Sequence, residues 1–492
     1  MALGTIPNDI RVPLVYIDID NSMAVSGTPA QAQKILVVAQ QLSSATVDAL
    51  KVSRITGSES AIDAQYGKGS MMALTLGALR KANSYTDVYA VGLADLASGN
   101  AATSEHVVNS AATAAGTWAM LIAGQSVQIG IAKADEPATI VTKAVAQINK
   151  QTRLPVTASV KADHTDTLVL TCKWKGQTGN DLDVRCNYYD GETYPQGMTV
   201  TMGSFTGGSG TPDMDTVIAA IPDEWYNHIV MPYNDTQSLD KLRDELVNRW
   251  GPLKMIEGIA YTSYRGTFAQ TGTFGSARND YLFTCMGSGL SPTPTWEWAA
   301  AYAGTSAYHL AIDPARPLQT LVLPGVLPPT KESRWDLTER NLLLHDGIAT
   351  YSVTPGGQVA IEREISMYRE NSYGDPDPSY LDITTPATLG YLRYSMRVMV
   401  TNRFPRHKLA DDDVLPLLDP AQPVVTPKIM RQAILEKAQE WVSAGLIEDF
   451  ELFSSTLNVY RDTNDRNRLN CVAHPDIVNQ LRIFAGLIQF KL

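Results

Sequence analysis

The chain has 492 residues, with 40 basic and 51 acidic side chains and a formal net charge of −11. That length implies about three domains and more than one buried core, and 44% hydrophobic against 18% charged residues excludes both disorder as the main state and a fibrous repeat. An acidic chain is also a poor match to phosphate-backbone binding, which needs clustered Lys and Arg, so no nucleic-acid partner is expected.

Residues 1–25 read as an extended N-terminal arm. Ile10, Val12 and Leu14 alternate, then Val15, Ile17 and Ile19 alternate in the opposite phase, the slip falling beside Pro13, which cannot donate a ladder hydrogen bond. The start has no basic cluster and no apolar core of a leader, so no secretory signal is expected. From Lys34 strand and helix alternate: a strand over Lys34–Ala39, helices over Ser58–Tyr66 and Ser70–Ala82, a strand over Asp87–Gly92. The mildly apolar stretch 111–124 is broken by Thr113, Gly116 and Thr117 and is too short for the ~20 residues of a spanning helix, so membrane insertion is not expected.

Short alternating runs at 126–133, 156–163, 167–176, 182–189 and 197–203, with one helix near 137–150, predict a small β-sandwich inserted over 123–211. Beyond it the alternation resumes: a strand over Asn227–Pro232, a helix over Ser238–Trp250, strands over Met255–Thr262 and Tyr281–Met286, a helix over Thr295–Leu310. Residues 26–122 and 212–365 therefore form a discontinuous α/β domain with a largely parallel sheet, closed by a hairpin of 348–353 and 358–367. Residues 366–479 predict a mixed α+β C-terminal domain containing one amphipathic helix, 427–443, capped by Thr426, opened by Pro427 and ended by Gly445. Met430, Ile434, Ala438 and Trp441 form its apolar stripe, and Lys428, Arg431, Gln432 and Gln439 its far side. The last segment, 480–492, reads as a C-terminal arm with Leu481, Ile483, Phe484, Leu487, Ile488 and Phe490 making both faces of a strand apolar.

Signs of chemistry are missing where they would be expected. Gly67-Lys-Gly has Ile62 where a phosphate loop needs its first glycine, and neither it nor Gly287-Ser-Gly continues at dinucleotide spacing. There is no Gly-x-Ser-x-Gly and no His-Glu-x-x-His. Cys172 and Cys186, predicted on neighbouring strands, lack further zinc ligands beyond His164. Asp411-Asp-Asp and Asp375-Pro-Asp-Pro lack the Ca²⁺-loop spacing and read as turns, and His407 sits in a basic loop, Arg403-Phe-Pro-Arg-His-Lys. No catalytic residue, metal or cofactor is assigned. An α/β enzyme with an unrecognised nucleotide or metal site is the alternative of another class.

Two strand-grade ends are unusual, because unpaired apolar strands promote aggregation. Either they pair within their own subunit or they complete sheets in neighbours by strand addition.

Several segments, taken in order, resemble the contractile-tail sheath proteins, closest to the sheath of Mu-like tailed phages. These are Ile10-Arg-Val-Pro-Leu-Val-Tyr-Ile, Gly176-x-x-Gly-Asn-Asp, Asp313-Pro-Ala-Arg-Pro-Leu-Gln-Thr-Leu and Glu339-Arg-Asn-Leu-Leu-Leu-His-Asp-Gly-Ile. Ser379-Tyr-Leu-Asp-Ile-Thr-Thr-Pro-Ala-Thr-Leu-Gly-Tyr-Leu-Arg-Tyr and Phe404-Pro-Arg-His-Lys-Leu-Ala-Asp-Asp continue the series, which covers nearly the whole chain. The resemblance implies a subunit that stacks in six-membered rings around an inner tail tube and contracts on a baseplate signal, driving the tube through the host envelope. It implies partners in further copies of itself, the tube, the baseplate and a tail terminator, in a virion tail assembled in the host cytoplasm. It implies that arms at about 8–22 and 480–492 add strands to a neighbour's C-terminal domain, and that the 427–443 helix, through Lys428, Arg431 and Gln432, faces the tube. A phage-derived bacteriocin or another contractile injector would share these mechanics.

Overall fold

The computed structural model describes residues 31–417, 419 and 422–491. The expected N-terminal arm, with Val12, Val15, Ile17 and Ile19, lies outside the described residues. The described chain divides into two compact units, a larger one of residues 33–390 with the segment from Ile477 onward, and a smaller one of Tyr391–Asp476.

In the larger unit β1 (Lys34–Gln40) is apolar on both faces, as a strand covered on both sides requires, and its side chains from Ile35 on are buried. After β2 (Val52–Arg54) come α1 (Glu59–Tyr66) and α2 (Met71–Ala82). Each starts at a serine, Ser58 and Ser70, whose hydroxyl accepts from the amide three residues on and so satisfies a donor that the first turn leaves unpaired. β3 (Asp87–Leu93) leads into the insert, made of β4 (Ala101–Val108), β5 (Gly116–Ile122), β6 (Gln125–Ile131), α3 (Pro137–Lys150), β7 (Val156–Lys161), β8 (His164–Lys175), β9 (Val184–Cys186) and β10 (Val200–Thr201). The chain then returns through α4 (Met214–Ala220), β11 (His228–Val230), α5 (Thr236–Trp250), β12 (Ile259–Arg265), α6 (Phe268–Ser276), β13 (Phe283–Gly289) and α7 (Thr295–Ile312). It ends on α8 (Leu337–His345), the hairpin β14 (Thr350–Val353) and β15 (Val359–Arg363), and the start of α9 (Thr384–Arg403).

The central sheet has the order β13-β12-β11-β1-β3-β2 among the described residues, parallel except for the β2 edge. The insert forms two antiparallel sheets, β10-β4-β8-β7 and β6-β5-β9. An α/β sheet with an inserted sandwich is thus the architecture, as the sequence predicts. The two parts share one continuous apolar core. Trp174 of β8 meets Trp296 of α7 edge to face with ring centroids 5.3 Å apart. At the seam Asp183 accepts from both Arg185 and Arg265, and these two arginines also donate to the carbonyls of Leu290 and Ser291.

Several expectations are corrected. The insert begins before residue 123, because β4 pairs with β8 and β5 with β6 and β9. Polar side chains on the buried face of β4 hide its strand alternation: Ser104 and His106 point inward and bond each other at 3.0 Å. Cys172 and Cys186 sit on strands of different sheets, not on neighbours. The smaller compact unit starts at Tyr391, within the expected 366–479 domain; the amide of Ser366 donates to Leu381 and that of Met367 to Phe283, which ties this stretch to β13.

His228, at the start of β11, is fully enclosed, its ring nitrogens 3.1 Å from the Tyr261 hydroxyl and 3.1 Å from Gln33 Oε1. Burial disfavours its charged form and pushes its pKa down to about 3. On acidification the unfolded imidazole takes up a proton near pH 6.5, whereas the folded one does not until about pH 3. The unfolded state therefore binds more protons in that window, and stability falls as pH drops through it. Urea melts between pH 7 and pH 4 should show this decline, and His228→Gln should flatten it; an unchanged slope in the variant would contradict the account.

In the smaller unit the end of α9 is followed by β16 (Lys408–Leu409), β17 (Val424–Val425), α10 (Pro427–Ser443), β18 (Ile447–Glu448), α11 (Phe450–Thr456), β19 (Asn458–Arg461) and β20 (Leu469–Val472). α10 matches its predicted bounds. Thr426 Oγ1 accepts from the Ile429 amide, and Gly445 takes the positive φ of 69° that ends a helix without Cβ strain. Its stripe packs inward, with Trp441 against Phe453 and its indole N–H donated to Ser395 at 2.9 Å.

Candidate functional site

Open α/β sheets bind ligands outside the carboxyl ends of the strands, where the strand order reverses. Here that point lies between β1 and β11, and the insert fills it. Gln40, the last residue of β1, donates to the Lys175 carbonyl at 2.7 Å and to Asp95 Oδ1 at 2.8 Å, while the Lys175 amide donates to the other Asp95 oxygen. The Gly67-Lys-Gly turn is likewise packing: a Cβ on Gly69 would stand 2.6 Å from the Leu154 carbonyl. The Cys172 thiol is buried and its pKa pushed up to about 12, which makes it inert at neutral pH. Among the described residues no group of three or more His, Cys, Asp or Glu is placed to hold a metal. Asp411 instead bridges Arg461 and Arg466. Asp377 accepts from the Tyr368 hydroxyl at 2.7 Å and from Ser379.

The surface carries further features. After Arg482 the C-terminal segment has no ladder partner among the described residues. Leu481, Ile483, Phe484, Leu487, Ile488 and Phe490 are between 75% and 92% exposed. Strand-grade sequence without a strand has a simple cause: one extended segment cannot satisfy its amides and carbonyls alone. In the smaller unit β19 and β20 pair only with each other among the described residues, with Tyr460 and Val472 exposed. On α10, Lys428 and Gln432 are exposed. Arg431 is not on a free face, because its guanidinium donates to the carbonyls of Ser454 and Leu457 at the end of α11. Sequence reasoning had no signal for that contact, which closes across 23 residues or more.

Three family descriptions match the chain in order: the phage tail sheath protein beta-sandwich domain at 97–204, the central domain at 207–367, and the phage tail sheath C-terminal domain at 375–491. The Mu-like prophage FluMu tail sheath protein of Haemophilus influenzae is 43% identical over 492 residues, all of both chains. The chain belongs to the phage tail sheath protein family. It is a structural subunit of a contractile tail sheath and a component of the phage tail. Solved sheath tail proteins from Desulfitobacterium hafniense (11% identity, TM-score 0.48, covering 94% of this chain and 100% of that one) and Listeria innocua (13%, 0.48, 92% and 93%) are similar to it. So is the contracted helical sheath of the anti-feeding prophage (10%, 0.45, 98% and 99%).

Proposed function

We propose that this sheath subunit joins its neighbours by exchanging strands at both ends, and that the resulting lattice of six-membered rings contracts around an inner tube without any catalysis. The C-terminal arm is the observation that carries this reading. Large apolar side chains that face water in the isolated chain are available to a partner, and an extended backbone with unused donors and acceptors is what strand addition consumes. The β19–β20 hairpin of a neighbouring C-terminal unit supplies an acceptor edge. The N-terminal arm, with Val12, Val15, Ile17 and Ile19, is the second donor, and Lys428 and Gln432 face the tube.

Baseplate and terminator are the partners at the two ends of the stack, the particle is assembled in the host cytoplasm, and contraction delivers the genome by driving the tube through the envelope. No nucleotide is required. Moving a two-state equilibrium from 1:99 to 99:1 takes about 5.5 kcal/mol, and burying one large aliphatic or aromatic side chain supplies about 1.5–3 kcal/mol. A difference of two to four such side chains between extended and contracted packing is therefore sufficient. The filled crevice beside Gln40 supports the non-catalytic reading.

Deleting residues 1–20 tests the proposal. Electron micrographs of the truncated protein should contain no long contractile tubes; tubes that still form and shorten would defeat strand exchange.

A further inference from the structure

Two of the family-like segments, Asp313–Leu321 and Ser379–Tyr394, are given no task by the strand arms. Ala315, Leu318 and Gln319 of the first and Asp382 and Thr384 of the second join Arg363 and Glu364, at the end of β15, in building a socket. The buried Glu364 carboxylate, at the end of β15, is 0% exposed and receives Arg482 with both oxygens, Nη2 to Oε1 at 2.5 Å and Nη1 to Oε2 at 3.1 Å. Glu364 Oε1 also accepts from the Leu318 amide at 3.0 Å. Asp382 accepts from Arg482 at 3.1 Å while its two oxygens hold Arg363 at 3.0 and 3.1 Å. Gln319 Oε1 lies 3.3 Å from Arg482 Nη1. Two residues upstream, Gln480 Nε2 donates to the Ala315 carbonyl at 2.6 Å and to Thr384 Oγ1 at 2.8 Å. Beyond Arg482 the next large side chains, Ile483 and Phe484, are open to solvent.

We infer that Gln480 and Arg482 are positioning residues that lock the root of the C-terminal arm into its own subunit, so that the free donor strand begins at Ile483. The inference rests on reading that arm as a strand donor. The chemistry suits a pivot. A guanidinium paired bidentately with a buried carboxylate has fixed direction, and removing one partner of a buried pair leaves the other charge uncompensated, so the root is hard to pull out. Ten residues past the pivot reach about 33 Å when extended. A root that peeled back toward Ile477 would lengthen that reach and loosen the register in which the strand meets its acceptor.

Trypsin cleaves after Arg482 only if its side chain leaves the socket, so cutting reports the open population. In soluble subunits carrying Gln489→Arg as a reporter in the free arm, cleavage after position 489 should be fast and cleavage after Arg482 slow. Glu364→Gln, which keeps an acceptor for the Leu318 amide, should speed the cut after Arg482 about tenfold or more. In chains without the reporter it should raise the concentration needed for tube formation by a similar factor while leaving the thermal midpoint close to that of the parent. Arg482→Lys keeps the charge without the fork and should fall between the two. Gln319→Ala, at the rim of the socket, guards against misfolding of the Glu364 variant and should shift both readouts in the same direction by less. Equal cutting at both sites in the parent, or Glu364→Gln with unchanged cutting and unchanged assembly, would overturn the inference. If a chain ending at Arg482 still forms tubes, the strand-donor reading fails while the cleavage result still decides whether the socket holds.

Discussion

A subunit ending at Arg482 is expected to fold like the full chain and to form no tubes. The removed side chains are already exposed, Ile488 at 92%, so folding loses little; substitutions at such surfaces stay within about 0.5 kcal/mol. Assembly loses every apolar contact and ladder hydrogen bond the arm contributes. Finer changes should be graded. Ile488→Asp or Phe484→Asp each forgo about 1.5–3 kcal/mol of burial and should raise the concentration for polymerisation about tenfold to a hundredfold. Sedimentation and negative-stain microscopy across a concentration series read both effects. Tubes from the truncated chain at the parent concentration would refute the strand donor, as would wild-type assembly by both aspartate variants.

Trp296→Ala should cause the largest loss of stability. Its ring is fully buried in the first turn of α7 and touches Trp174 of the insert. Truncating a buried tryptophan costs about 3–5 kcal/mol, because transfer energy is lost and a cavity stays behind. The core is continuous from the central sheet into the sandwich, so the α/β layer and the insert of the variant should still melt together, at lower temperature. Hydrogen exchange in which the insert loses protection before the central sheet would mean that the insert unfolds by itself and that its seam with the α/β layer is weak.

Most of the α/β layer was legible because its signals are local. Ser58 and Ser70 announce helix starts there, as Thr426 does in the smaller unit, and β1 is an unbroken apolar run from Ile35 to Ala39. What escaped depends on distant partners. β4 buries Ser104 and His106, so its inward face reads as polar. β5 holds the apolar run Trp118–Ile122 that reads as a failed membrane segment until β6 and β9 flank it. α9 runs for 20 residues without a clear apolar stripe and starts Thr-Thr-Pro, so its helical nature is poorly marked by periodicity. The socket closes between Arg482 and Glu364 across 118 residues, a distance over which no spacing rule operates. The same holds for Arg431, whose donation to the end of α11 narrows the face that composition alone would leave open.

The open C-terminal tail has a kinetic corollary. Two solitary copies that meet would each have to order an unpaired arm at a cost of about 1–2 kcal/mol per residue, with a single docking edge as the return. On the strand-exchange proposal, a copy arriving at an existing rim would dock both as donor and as acceptor, beside companions already held in place. If the arms exchange strands as proposed, growth would favour a pre-formed template over spontaneous pairing, and assembly followed by light scattering should show a lag that added seeds shorten.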